Sequence, residues 1–276
     1  MRDKSGKFSS IKGNIYTRQW LPQQPPKAVV LLVHGMAEHC GRYQHMGKYL
    51  TLQGYALCGL DLPGHGNSAG PRGYVDSFED FSAVVLQYLD ILTEKYPGVP
   101  VYLLGHSMGG LISSNLLLEH QAKFKGCILS AAAIRSPETP PAFQMMILKL
   151  LAIITPKLGV IQLDAEGVNS DPKQVAKYLN DPLNYIGKIS ARLIVGMFNT
   201  MLKVVSRASE ITIPLLLLHG AEDPMTSVDG SQILIDQCGS QDKKLIIYPG
   251  LRHEVFNESI NIEIFAEVSA WLDKRC

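Results

Sequence analysis

This sequence predicts an α/β fold, with a mostly parallel sheet covered by helices on both faces and a helical insertion past its middle. Three observations lead there. Short, nearly all-apolar runs alternate with longer segments of helical period. The runs lack the in-and-out alternation of a half-exposed sheet, so they read as parallel strands buried on both faces. One run breaks into Gly105-His106-Ser107-Met108-Gly109, and a helical segment follows at once.

The elements follow in order. Met1 to Gly13 is polar and basic, with no apolar stretch or cleavage pattern of a secretory signal. Ala28–Val33 is the first apolar strand. Tyr43–Gln53 has helical spacing and Gly54 stops it. Tyr55–Leu60 is the next strand and runs into the turn-rich Asp61-Leu62-Pro63-Gly64-His65-Gly66. Phe78, Phe81, Val85, Tyr88, Leu89 and Leu92 lie on one face of a helix over Ser77–Lys95. Val101–Leu104 leads to Ser107, and a helix is expected over Leu111–His120. Gly126–Ser130, Pro214–His219 and Lys244–Tyr248 complete the strands.

The rhythm breaks between Ala133 and Ile213. Pro137, Pro140 and Pro141 mark a loop, and runs of helical spacing follow. The chain is therefore expected to form one domain over 1–276, with a cap of several helices inserted at about 134–212. Such a cap would cover the carboxyl ends of the strands, where ligands bind in these sheets. Ala142–Ile161 is strongly apolar, but Lys149, Thr155, Pro156 and Lys157 interrupt it. It reads as a cap helix with some apolar surface outward rather than a membrane span.

A chain of 276 residues can bury one large core, and 46% hydrophobic residues is ordinary for a globular domain. A net charge of +1, with no long basic run, argues against nucleic acid as a partner. The five cysteines are scattered, odd in number and without C-x-x-C spacing, which suits free thiols in a reducing cytoplasm. Histidines and cysteines do not cluster at ligand spacings, so no metal is expected.

A serine at the apex of a strand-to-helix turn presents its hydroxyl outward, and flanking glycines keep the turn uncrowded. The hydroxyl needs a base, and the base needs an acid that fixes its tautomer. Those partners should follow other strands in the order Ser, acid, His. Leu215–Leu218 runs into His219-Gly220-Ala221-Glu222-Asp223-Pro224, and Leu245–Tyr248 into Pro249-Gly250-Leu251-Arg252-His253-Glu254. Asp223 and His253 are thus the expected partners of Ser107. Glu222 competes with Asp223, but Asp-Pro opens a turn that presents the shorter carboxylate. Asp61 breaks the order, and His219 begins its loop too close to the sheet. His34, His65 and His106 lie in tight turns and read as loop-holding groups. Two backbone N–H groups should hold the oxyanion: Met108, and Met36 in the loop His34-Gly35-Met36-Ala37-Glu38-His39.

H-G-M-A-E-H-C-G-R-Y, D-L-P-G-H-G-N-S, G-H-S-M-G-G, H-G-A-E-D-P-M and Y-P-G-L-R-H-E-V-F-N-E together resemble the monoacylglycerol lipase family of α/β-hydrolases. The resemblance covers roughly Ile15 to Leu272. It implies an α/β-hydrolase fold, the triad Ser107, Asp223 and His253, and oxyanion donors Met36 and Met108. It also implies Glu38 and Arg42 beside the glycerol-binding end of the pocket. Phe256 stands where vertebrate members carry a second histidine that contacts glycerol.

The expected activity is hydrolysis of long-chain carboxylic esters through an acyl-enzyme, with monoacylglycerol the leading substrate and no cofactor. Lysophospholipid and aryl-ester hydrolysis are the alternatives within the class. Outside it stands a ligand receptor on the same fold, against which all three triad members speak. The expected partners are a lipid or ester substrate and a membrane surface touched peripherally through the cap. A homodimer is left open. The expected location is cytoplasmic and peripherally membrane-associated.

Overall fold

The structure is a computed structural model that describes residues 1–276. Its elements in chain order are β1 (Arg2–Ser10), β2 (Gly13–Leu21), β3 (Val29–Val33), α1 (Gln44–Leu52), β4 (Ala56–Leu60), α2 (Glu79–Lys95), β5 (Val101–His106), α3 (Met108–His120) and β6 (Gly126–Ser130). Then follow α4 (Ala142–Ile154), β7 (Gly159–Gln162), α5 (Pro172–Asn180), β8 (Lys188–Ser190), α6 (Ala191–Ser206), β9 (Leu215–Gly220), α7 (Val228–Gln237), β10 (Lys243–Tyr248) and α8 (Asn261–Asp273).

Eight strands form one sheet in the order β1-β2-β4-β3-β5-β6-β9-β10. From β4 to β10 every pair is parallel, while β2 runs antiparallel to both β1 and β4. Alternate residues of each central strand feed opposite cores. Val29, Leu31 and Val33 join α2, α3, α6 and α7 on one face, and Val30 and Leu32 join α1 and α8 on the other. This is the α/β-hydrolase arrangement of a mostly parallel sheet flanked by helices.

The β1–β2 hairpin was not legible in the sequence. β1 is exposed along nearly its whole length, and its ladder to β2 is its only pairing. Backbone hydrogen bonds hold it, so no apolar pattern marks it. α3 begins at Met108 rather than Leu111, because the turn at Ser107 passes directly into helix. α7 and α8 cover the sheet over segments for which the sequence predicts no helix.

The segment between β6 and β9 differs from the expected row of helices. It contains a small antiparallel sheet, β7 with β8. The apolar run Ala142–Ile161 is not one helix: α4 ends at Ile154, just before Thr155-Pro156, and the run finishes as β7. Only Ala152 of α4 is buried, whereas α6 sinks Leu193, Ile194, Met197 and Val204 into the main core. No helix is long and apolar enough to cross a membrane.

Candidate active site

The strand order reverses direction at β3. The chain moves outward from β3 to β4, then returns to place β5 on the other side of β3. Loops leaving β3 and β5 therefore part over one crevice at the carboxyl edge of the sheet. Register places Val33 beside Gly105, so residues 34–39 and Ser107 emerge side by side.

Ser107 takes φ 52° and ψ −119°, a left-handed conformation that side chains rarely adopt. It is held by Ser107 N–H donating to Ser130 O (2.9 Å) and by Ala133 N–H donating to Ser107 O (3.0 Å). The flanking glycines are sterically required. A Cβ on Gly109 would lie 2.1 Å from Val33 O, and one on Gly105 would lie 2.4 Å from Ser113 Oγ. The Met108 side chain is buried in the core, and its N–H stands at the uncapped start of α3. No protein acceptor takes the N–H of Met36 or of Met108.

Asp223 and His253 meet, although thirty residues separate them. His253 Nδ1 donates to Asp223 Oδ2 at 2.7 Å, which leaves Nε2 for the crevice that Ser107 also lines. The Asp223 side chain is fully buried. Its Oδ1 accepts Met225 N–H (2.7 Å) and Thr226 N–H (3.0 Å), and its Oδ2 accepts the Thr226 hydroxyl (2.7 Å). Burial opposes the charge on Asp223, but the attraction of His253 and the bonds from His219, His253 and Thr226 outweigh it. The carboxyl is held well below its ordinary range. Burial also pulls His253 down, and the Asp223 carboxylate pulls it up harder, so its imidazole is more basic than an ordinary histidine.

The rivals fall into structural roles. Glu222 is exposed. Asp61 is fully buried and ties two loops, accepting Cys40 N–H (2.9 Å) and Asn67 N–H (2.8 Å). His34 Nε2 accepts Leu62 N–H at 2.9 Å, and His65 Nδ1 lies 2.9 Å from Pro63 O. His219 is closer to the site than expected: its buried Nε2 lies 3.1 Å from Asp223 Oδ2. The spacing His219-x-x-x-Asp223 at a strand end was the available signal.

Glu38 and Arg42 do form an ion pair, at 2.9 Å, but neither is free. Glu38 also accepts Gly35 N–H (2.6 Å) and the Tyr43 hydroxyl (2.8 Å). Arg42 grips Glu254 with two bonds of 2.5 and 2.7 Å, a partner the sequence reading missed beside His253. Burial opposes charge on both carboxylates, and Arg42 overcomes it and keeps them ionised. Glu38 and Glu254 line the chamber at Ser107, whereas Arg42 stands behind them. Phe256 does not reach the chamber either. It is buried edge-on to Tyr43 and tilted against Phe265.

The chamber has a volume of about 380 Å³. Ile161, Ile194, Met197, Phe198, Met201 and Met225 supply most of its apolar lining. Methionines suit a flexible chain, since their unbranched side chains adapt to its shape.

Comparison with known proteins agrees with this geometry. The family model described as serine aminopeptidase, S33 (Hydrolase_4) matches residues 24–260. A monoacylglycerol lipase from Mycolicibacterium smegmatis is 34% identical, over 96% of this chain and 95% of its own length. The human monoglyceride lipase is 32% identical, over 95% of this chain and 87% of its own length. The crystal structure of Paleococcus ferrophilus monoacylglycerol lipase superposes with a TM-score of 0.84 at 30% identity, covering 100% of both chains. With that similarity running nearly end to end, this chain belongs to the monoacylglycerol lipase family of the α/β-hydrolase superfamily.

Proposed function

We infer that this protein is a serine hydrolase that cleaves monoacylglycerol to glycerol and free fatty acid. The observation that carries the reading is that His253, bonded to the buried Asp223 at 2.7 Å, lines one apolar chamber with the strained Ser107. In this reading His253 Nε2 takes the hydroxyl proton as Ser107 Oγ attacks the ester carbonyl. The N–H groups of Met36 and Met108 hold the oxyanion. The tetrahedral intermediate collapses, the carbon–oxygen bond to the alcohol breaks, and His253 gives that alcohol the proton. Water then attacks the acyl-enzyme while His253 takes its proton. On the second collapse His253 returns a proton to Ser107 and the fatty acid leaves. Asp223 keeps Nδ1–H on the acid side of His253 and balances its charge throughout.

The acyl chain occupies the chamber, where each buried methylene is worth ~0.8 kcal/mol. Glu38 and Glu254 are the carboxylates on the chamber wall near His253, and the lone pairs that their protein partners leave open serve as acceptors for the hydroxyls of a glycerol head. Residues between β6 and β9 act as the cap. The exposed face of α4, with Phe143, Met146, Leu150 and Ile153, rests on lipid while Lys149 and Lys157 meet the headgroups. The buried, unpaired thiols of Cys40, Cys58, Cys127 and Cys238 suit a cytoplasmic setting.

Steady-state hydrolysis of monooleoylglycerol and methyl oleate by the wild type and Ser107→Ala tests the reading. A clear preference for the glycerol ester, lost with the Ser107 hydroxyl, is expected. Equal efficiency on both esters, or activity that survives Ser107→Ala, overturns it.

A further inference from the structure

The loop that carries Met36 is pinned from two sides. From the body of the domain, Glu38 accepts Gly35 N–H and the Tyr43 hydroxyl. The second side is the segment around the end of α5. Tyr185 N–H donates to Ala37 O at 2.9 Å, and the Tyr178 hydroxyl reaches the same oxygen at 3.4 Å. Two residues on, His39 Nε2 donates to Asp181 Oδ2 at 3.0 Å. The segment is itself closed: Asp181 Oδ1 accepts Leu183 N–H at 2.9 Å, and Asn184 Nδ2 donates to Tyr178 O at 2.9 Å. The Arg42 guanidinium lies over the Tyr178 ring at 4.9 Å.

These bonds converge on a residue that needs them. Ala37 has φ 65°, the left-handed region that residues with a Cβ avoid. The direction of Met36 N–H is coupled to that turn, because relaxing Ala37 to negative φ would swing the Met36–Ala37 peptide plane, and the backbone of Met36, whose N–H lies one peptide further back, would have to adjust with it. α4 touches neither catalytic loop by hydrogen bond. Its outward bond is from Arg192 of α6 to Ala152 O.

We propose that Tyr178 and Asp181 are positioning residues for the ester hydrolysis, holding Ala37 left-handed so that Met36 N–H stays aimed at the oxyanion. The insertion then has a second task beside covering the chamber, since its inner segment is part of the frame of the oxyanion site. This rests on the assignment of Met36 as an oxyanion donor. An oxyanion contact exists only in the transition state, so loosening it lowers kcat and leaves KM. Loss of a whole donor costs roughly 10²–10³-fold elsewhere, which sets the ceiling.

The test uses a soluble short-chain ester with Tyr178→Phe, Asp181→Ala, the double variant, and the double variant carrying Ala37→Gly. Phenylalanine keeps the ring against Arg42 and removes only the hydroxyl. A fall in kcat of a few-fold, about 10-fold and about 30-fold is expected in turn, with KM within two-fold. Ala37→Gly should restore most of kcat to the double variant, because glycine takes positive φ without support. Full kcat in the double variant, a loss confined to KM, or no recovery with Ala37→Gly overturns the proposal. Ser107→Ala in the same assay keeps the two readings apart. Activity that survives it removes the site assignment, while its loss beside a fully active double variant removes only the positioning role.

Discussion

His219 stands 3.1 Å from Asp223 Oδ2, the oxygen that also accepts His253. Its Nε2–H is shared with Thr226 O at 3.3 Å, and its Nδ1 lies 2.8 Å from Ser231 Oγ. A donor on this oxygen disperses carboxylate charge that would otherwise act on His253. His219→Leu, which carries no donor, should therefore leave His253 more basic. His253 works as a base only when neutral, so the acid limb of kcat/KM should move to higher pH. A pH–rate profile on a soluble ester checks this, and an unmoved or lowered limb would contradict it.

In the wild type the same limb should lie above pH 6.5, the ordinary histidine value, because Asp223 raises His253 despite its burial. His106 packs beside His253 with ring centroids 4.8 Å apart, but burial and the neighbouring His253 push it down to about 4. It should not appear in the profile.

Acid should weaken the fold well before carboxylates protonate. Burial lowers His34 to about 3 and His106 to about 4, and lowers His65 as well. Above pH 6.5 all three are neutral folded or unfolded. Below it the unfolded chain takes protons that the folded chain refuses, so stability falls with pH, by up to ~1.4 kcal/mol per unit for each. His253 is raised, so its contribution is present below pH 6.5 and lost as pH rises through its folded value. Urea unfolding at pH 5 should give at least ~2 kcal/mol less than at pH 7.5. Equal values would refute it.

Asp223→Asn should lower turnover by roughly 10⁴-fold, since an amide favours the wrong tautomer of His253. Glu222→Gln should change it little, because Glu222 is exposed beside a fully buried Asp223 side chain. Reversed results would make Glu222 the acid.

Ser107→Gly should abolish turnover yet raise stability by about 1 kcal/mol, because glycine relieves the positive φ that serine bears. Ser107→Ala should leave the melting temperature nearly unchanged. Calorimetry of both variants checks the pair, and a Ser107→Gly protein less stable than wild type would show no strain at the turn.

Phe143→Asp with Ile153→Asp should weaken binding to phosphatidylcholine vesicles several-fold. These side chains are 67% and 73% exposed, so the change leaves the core untouched. Flotation assays read it directly. Unchanged binding would remove α4 from the membrane contact.

The parallel strands were legible because each is apolar over its whole length, a local property. The turn at Ser107 was legible because its glycines answer a steric demand of neighbouring backbone, which motif spacing records. The order of Asp223 and His253 after their strands was legible for the same reason. β1 was not, because ladder bonds to β2 leave no trace in side-chain character. The two strands β7 and β8 hid inside runs whose apolar spacing suits a helix equally well.

By itself, then, the sequence determined the strand–helix alternation, the turn at Ser107 and the strand ends from which Asp223 and His253 emerge, all set by short-range sterics and burial pattern. Only the tertiary structure decided what surrounds them. His219 shares a carboxylate oxygen with His253, Arg42 turns from the chamber to bind Glu254, and residues 178–185 fasten the loop of Met36. Each is a contact between polar groups distant in the chain, or turned by local geometry, and it forms only where burial leaves them no water to bond instead.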